Sequence, residues 1–151
     1  MKSIRDILLV EDNPSDIDLT RRALLKGHIA NDLVIADDGQ KALDYLFGKG
    51  KYADRNTSTM PALVLLDLKL PKVPGIEVLR QIRADQSIKQ LPVVILTTSA
   101  EQRDITAGYD LCVNSYIRKP VDFNQFVECV KQLGLYWLVL NEPPYPKEEV
   151  L

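Results

Sequence analysis

Two short runs decide how this chain folds: Leu63-Val64-Leu65-Leu66-Asp67 and Ile7-Leu8-Leu9-Val10-Glu11-Asp12. Each consists of four apolar residues in a row, closed by acid. A strand of a parallel sheet is covered by helices on both faces, so it reads as an unbroken apolar run and not as an in–out alternation. If the two runs are neighbouring parallel strands, three carboxyl groups meet at one edge of the sheet. Two unit charges roughly 5 Å apart repel by about 3 kcal/mol at an effective dielectric near 20, and three such pairs approach ~10 kcal/mol. A cluster of that kind calls for a cation or a protonated carboxyl. Mg²⁺ suits it, being a hard ion that prefers oxygen ligands and keeps some of its waters. The pattern points to a metal-assisted phosphate site with Asp67 as the acceptor.

Outward from these runs, strands and helices alternate. Asp12 and Asn13 precede Pro14, a good first helical residue, and a helix to about Lys26 stops at Gly27. Leu33-Val34-Ile35 is a second strand, and Asp37-Asp38-Gly39 turns into a helix carrying Ala42, Leu43 and Leu46. Residues 48–61 form a polar loop, long for an α/β connection, which usually takes about 2–6 residues. Beyond Asp67, Pro71, Pro74 and Gly75 shape a turn into a helix around residues 76–83. Val93 to Leu96 is a strand ending in Thr97-Thr98-Ser99, with Ser99 capping a helix over about 101–108. A fifth strand over Ser115 to Arg118 leads through Lys119-Pro120 to a last helix over about 122–133.

Bulk composition narrows the class. The 151 residues, 46% of them hydrophobic, suffice for one domain with a real core. A net charge of -2 offers no footprint for nucleic acid or an anionic membrane. No apolar run approaches the ~20 residues that span a bilayer, and Met1 runs almost directly into the first strand, which argues against a signal peptide and for a cytoplasmic protein. Cys112 and Cys129 lack CxxC spacing and read as buried reduced thiols. His28, the only histidine, reads as a surface residue after the Gly27 stop.

Five strands alternating with five helices predict an α/β fold, a doubly wound parallel sheet. In the flavodoxin-like order 2-1-3-4-5 the topological switch point lies between the first and third strands, and ligands bind beyond their carboxyl ends. Those ends carry Glu11-Asp12 and Asp67, while the fourth strand brings Thr97 and the fifth Lys119 to the same edge.

Val10-Glu11-Asp12-Asn13, Leu66-Asp67-Leu68-Lys69-Leu70-Pro71, Leu96-Thr97-Thr98-Ser99-Ala100 and Arg118-Lys119-Pro120 together resemble the signature blocks of receiver domains of two-component response regulators. The likeness covers about residues 4–134 and rests on four separate blocks at matching strand ends. It implies that Asp67 accepts a phosphoryl group from a sensor histidine kinase and that Glu11 and Asp12 hold Mg²⁺ with Asp67 and the Lys69 backbone carbonyl. Thr97 and Lys119 would contact the phosphoryl oxygens, and Tyr116 matches the aromatic switch position. Such a protein is a signalling acceptor that catalyses its own phosphorylation and dephosphorylation, and is not an enzyme acting on a separate substrate.

Taken singly, each block has an ordinary explanation: Asp12 and Asn13 as helix caps, Asp67 as a turn residue, Lys119 as a solvated lysine, Tyr116 as packing. Four blocks landing on one edge outweigh those. A haloacid-dehalogenase-type phosphatase would need a second Asp where Lys69 stands, and Glu11-Asp12 would repel the phosphate of a flavin mononucleotide. A phosphorylation-independent pseudo-receiver scaffold usually lacks the acceptor or the acidic pair, and both are present.

The domain is expected over 1–134, with 135–151 a C-terminal extension too short for a DNA-binding effector. Output would then be protein contact or phosphoryl relay. The 48–61 loop and the tail Tyr136-Trp137-Leu138-Val139-Leu140-Asn141-Glu142-Pro143-Pro144 resemble the single-domain regulators paired with bacterial, especially cyanobacterial, phytochrome kinases. Five apolar residues in the tail predict either packing onto their own domain or a homodimer through the tail and the face made by the fourth helix, fifth strand and fifth helix, with Pro143, Pro144 and Pro146 keeping the chain extended.

Overall fold

Backbone pairing begins where the apolar runs predict. In this computed structural model, which describes residues 5–119 and 122–142, β1 (Ile7–Val10) pairs in parallel with both β2 (Leu33–Ala36) and β3 (Leu63–Leu66). β4 (Val93–Thr97) joins β3, and β5 (Ser115–Arg118) closes the order β2-β1-β3-β4-β5. β1, β3 and β4 are buried at every position, as strands covered on both faces must be.

Alternate residues of each strand serve two separate cores. Leu8, Val10, Val64, Leu66, Val93 and Ile95 pack against α2 (Gly39–Phe47) and α3 (Gly75–Ala84), with Val113 and Tyr116 completing that side. Ile7, Leu9, Leu63, Leu65, Val94 and Leu96 face α1 (Pro14–Lys26) and α5 (Phe123–Leu133) through Ala23, Leu24, Phe126, Val127 and Val130. Full burial of one such side chain is worth about 1.5–3 kcal/mol. α4 (Gln102–Asp110) lies where Gly108 lets it approach Ile95.

Local chemistry sets the helix ends. Asn13 caps α1 through its side-chain oxygen, which accepts from the Ser15 and Asp16 amides at 2.9 and 3.2 Å, and Pro14 is the first helical residue. The capping role therefore falls to Asn13, and the Asp12 carboxylate remains available for other work. Asp38 caps α2 and Asp122 caps α5.

Gly27 caps the end of α1 where the sequence predicts the stop; the left-handed residue is the next one, His28 at φ 59°, and a Cβ on Gly27 would stand 3.2 Å from Lys131 of α5. Other sequence expectations need correction. Cys112 is exposed, on a turn at φ 58°, and Cys129 is only half-buried, its thiol pushed up by that burial. Ser99 does not cap α4. The cap position belongs to Glu101, whose amide donates to the Ser99 hydroxyl at 3.3 Å.

Gly134, the C-cap of α5, keeps right-handed helical angles and leads into a π-helical segment, Gly134–Leu140. A Cβ on Gly134 would come within 2.4 Å of Ile29, so this glycine permits close packing. Trp137 and Leu138 pack onto the α1–α5 core, while Tyr136 and Leu140 remain 52% and 62% exposed. Pro143, Pro144 and Pro146 lie outside the described residues, as does Pro120.

The long 48–61 loop is ordered by its own contacts. It contains a 3₁₀ turn over Gly50–Tyr52, and Arg55 stacks 4.1 Å over the Tyr45 ring while donating to the Thr59 carbonyl. Tyr45 in turn donates to Asp6 at 3.0 Å.

Candidate functional site

Strand register assembles the site. Val10 pairs with Leu66, so the next residues, Glu11 and Asp67, leave the sheet side by side. Leu66 pairs with Ile95 and Thr97 with Arg118, which sets Thr97 and Lys119 at the same edge. The backbone ties continue one step beyond the strands, from the Asp67 amide to the Val10 carbonyl at 3.0 Å and from the Lys119 amide to the Thr97 carbonyl at 2.6 Å.

The three acids of the two opening runs meet. Glu11, Asp12 and Asp67 each bring a carboxylate oxygen within 4.8 Å of the others. Glu11 and Asp67 are buried, whereas Asp12 is open to solvent. The Asp67 carboxylate is held by the Thr97 hydroxyl, donating to Oδ1 at 2.9 Å, and by the Lys69 amide at 3.2 Å. Its Oδ2 faces the Lys119 ammonium at 3.5 Å. That ammonium is only 6% exposed and donates to Glu11 Oε1 at 2.6 Å and to Asp16 Oδ2 at 2.9 Å.

Burial dominates the titration of Glu11, pushing its pKa up from an ordinary 4.5 to about 7. The Lys119 hydrogen bond pulls the other way, and the Asp67 charge pushes further up. Burial would lower the Lys119 ammonium, but its hydrogen bonds to Glu11 and Asp16 outweigh it and hold the group above its ordinary value. One ammonium thus faces three carboxylates, with Asp12 a fourth beside Glu11 and Asp67, and the excess of oxygen donors with negative charge fits a hard divalent cation.

Two geometric details protect the acceptor. A Cβ on Gly75 would lie 2.2 Å from the Asp67 carbonyl, so only glycine lets α3 start this close to β3. Likewise a Cβ on Gly39 would lie 2.0 Å from the Val73 carbonyl, where the 68–74 loop leans on the start of α2. Tyr116 sits beside this edge with its hydroxyl donating to the Ser99 carbonyl at 2.9 Å. Thr97 is fully buried and already turned toward Asp67.

Comparison with known proteins agrees with this geometry. The profile of the response regulator receiver domain matches residues 7–131. The chain belongs to the response regulator receiver family. Among relatives, the receiver is 40% identical to the probable methanogenesis regulatory protein FilR2 of Methanothrix harundinacea over 93% of this chain and 88% of that one. It is 39% identical to the response regulator Rcp1 of Synechocystis sp. over 87% of this chain and 88% of that one. The crystal structure of the phosphorylated cyanobacterial phytochrome response regulator RcpA superposes with a TM-score of 0.85 at 41% identity, covering 94% of this chain and 99% of that one. Five parallel strands in the order 2-1-3-4-5 with five helices are thus the receiver fold, similar over 94% of this chain to that of the phytochrome response regulator RcpA. No helix among the described residues is long and apolar enough to cross a membrane.

Sequence reading missed Asp16. It lies in the first turn of α1, on the inward stripe continued by buried Thr20, Ala23 and Leu24. An acid at the head of an otherwise inward-facing stripe is the signal that marks it.

Proposed function

We propose that this receiver takes a phosphoryl group on Asp67 from the phosphohistidine of a sensor histidine kinase, with Mg²⁺ as its cation, and signals through protein contacts. The observation that carries the reading is the Asp67 carboxylate itself, gripped at one oxygen by Thr97 and Lys69 and faced at the other by Lys119, with Glu11 and Asp12 alongside. In the transfer, an Asp67 carboxylate oxygen attacks phosphorus as the phosphorus–nitrogen bond to the imidazole breaks, and the imidazole leaves with a proton. The transition state is loose, so positioning and neutralisation of charge supply most of the catalysis. Lys119 provides a fixed positive charge, and Thr97 orients the carboxylate.

Glu11, Asp12, Asp67 and the Lys69 backbone carbonyl are the residues we assign to the cation. When bound, it offsets the repulsion between the Asp67 carboxylate and an incoming phosphoryl anion. A crystal structure of the Mn²⁺-bound form of Rcp1, 37% identical with a TM-score of 0.82 over 93% of this chain and 99% of that one, supports a divalent ion in this pocket. Thr97 and Tyr116 are the switch pair: a change in what Thr97 bonds alters the space beside Tyr116 and so the face around β5. The receiver proper is assigned to 1–134 and the remainder to an extension that contributes contacts.

The named relatives RcpA and Rcp1 suggest a phytochrome as the kinase, although a relative of similar identity carries a methanogenesis name. Acetyl phosphate with Mg²⁺ is the direct test. Wild type should gain one phosphoryl group, and either EDTA or Asp67→Asn should abolish it while leaving the fold intact. Stoichiometric labelling of the Asn variant would overturn the acceptor assignment; absence of labelling in wild type would leave a phosphorylation-independent scaffold.

A further inference from the structure

The Lys119 ammonium has three protons to donate. Two are used on carboxylates, Glu11 at 2.6 Å and Asp16 at 2.9 Å, and the remaining direction faces Asp67 at 3.5 Å. These two carboxylates differ in what release would cost. The Glu11 side chain is 3% exposed, so separating it from the ammonium would strand a buried charge, whereas Asp16 is 33% exposed and water can take over its oxygen. If one partner yields when more anionic oxygen arrives on Asp67, it is Asp16.

We propose that Asp16 is a positioning residue that holds the Lys119 ammonium toward α1, in competition with the phosphoryl oxygens, and gives it up when a phosphoryl group is bound. The inference rests on Asp67 being the acceptor. Asp16 thereby weakens the receiver's hold on phosphoryl groups and couples the occupancy of Asp67 to a charge at the first turn of α1. Its side chain has no other hydrogen-bond partner among the described residues, while its backbone amide donates to Asn13 and its carbonyl accepts from Thr20. Asp16→Asn therefore removes the charge and leaves the helix cap in place.

The test measures labelling by acetyl phosphate, and Mg²⁺-dependent binding of beryllium fluoride as a phosphoryl analogue, in wild type, Asp16→Asn, Asp16→Glu and Asp18→Asn. Asp18 pairs with Arg22 on the exposed side of the same helix, so its variant controls for the loss of one negative charge at a distance. Loss of a partly exposed ion pair is worth about fivefold, so Asp16→Asn should lower the half-saturating concentration of both ligands by roughly that factor. Asp16→Glu should stay nearer wild type, and Asp18→Asn should match it. The proposal is overturned if Asp16→Asn leaves those concentrations unchanged or raises them, as a merely structural role would. An equal drop in Asp18→Asn also overturns it, because the effect would then be general charge. Failure of wild type to label on Asp67 would instead overturn the acceptor reading, and this proposal with it.

Discussion

Glu11 is where the charge conflict of the site is most concentrated. A carboxyl whose folded pKa lies near 7 against an ordinary 4.5 binds more protons in the folded state than in the unfolded one between those values. Its contribution to stability is therefore fully present below about pH 4.5 and is lost as pH rises through 7. Cation binding favours the ionised form, so it restores most where the loss is largest. Thermal melts should show a larger Mg²⁺-induced rise in Tm at pH 8 than at pH 5.5, with EDTA as the reference. Glu11→Gln should flatten that difference. An equal Mg²⁺ increment at both pH values would rule out Glu11 as the residue that links protonation to the cation. Glu11, Asp67 and Thr97 were legible because each directly follows or closes an apolar run, so finding the strand finds the residue, whereas Lys119 was reached through the Arg118-Lys119-Pro120 block after β5. Asp16 was not legible, since its meeting with Lys119 depends on helix phase and strand register together, over 103 positions of chain.

Among the elements, α3 is fixed by one side chain to the far end of the sheet. Arg83 donates from Nε to the Leu111 carbonyl at 2.8 Å, and from its terminal nitrogens to Leu91 at 2.7 Å, Lys89 at 2.9 Å and Cys112 at 3.0 Å. These bonds join the loop before β4 to the turn after α4, which includes the left-handed residue Cys112. Hydrogen bonds to a charged donor are worth about 1.5–3 kcal/mol each but do not add fully, so Arg83→Ala should cost roughly 2–4 kcal/mol in urea unfolding. Arg83→Lys should rescue little, because an ammonium cannot reproduce the planar fork. A loss below about 0.5 kcal/mol, the level of an ordinary surface substitution, would show that water replaces the guanidinium at no cost. Nothing local in the sequence marks Arg83. The elements it joins were predicted to within a residue or two, but the carbonyls it serves come together only once those elements pack. Gly134 is silent in the sequence for a related reason: only the nearness of Ile29 in the fold reveals that it serves helix packing.

At the scale of the whole molecule, the tail leaves a small apolar patch that its own domain does not cover. Trp137 and Leu138 are committed to the α1–α5 core, so among the described side chains of the tail the exposed large apolar ones are Tyr136 and Leu140, with the Tyr136 ring edge-on to Trp137 at 4.8 Å. A twofold pairing would bury the exposed halves of four such side chains, about 3–7 kcal/mol at the usual 1.5–3 kcal/mol for a fully exposed one. Association costs on the order of 4–15 kcal/mol, so this patch alone yields at most a weak dimer. A stable homodimer would therefore need the α4–β5–α5 face as well, and the proposed switch of Thr97 and Tyr116 would then act on self-association. We expect the wild-type chain to sediment as a dimer at tens of micromolar concentration. Tyr136→Ser with Leu140→Ser should shift it toward monomer while leaving acetyl phosphate labelling intact. Point substitutions are preferable to truncation at Gly134, because truncation would also uncover the core that Trp137 and Leu138 protect. A wild-type chain that remains monomeric at that concentration, phosphorylated or not, would show that the tail serves only its own domain.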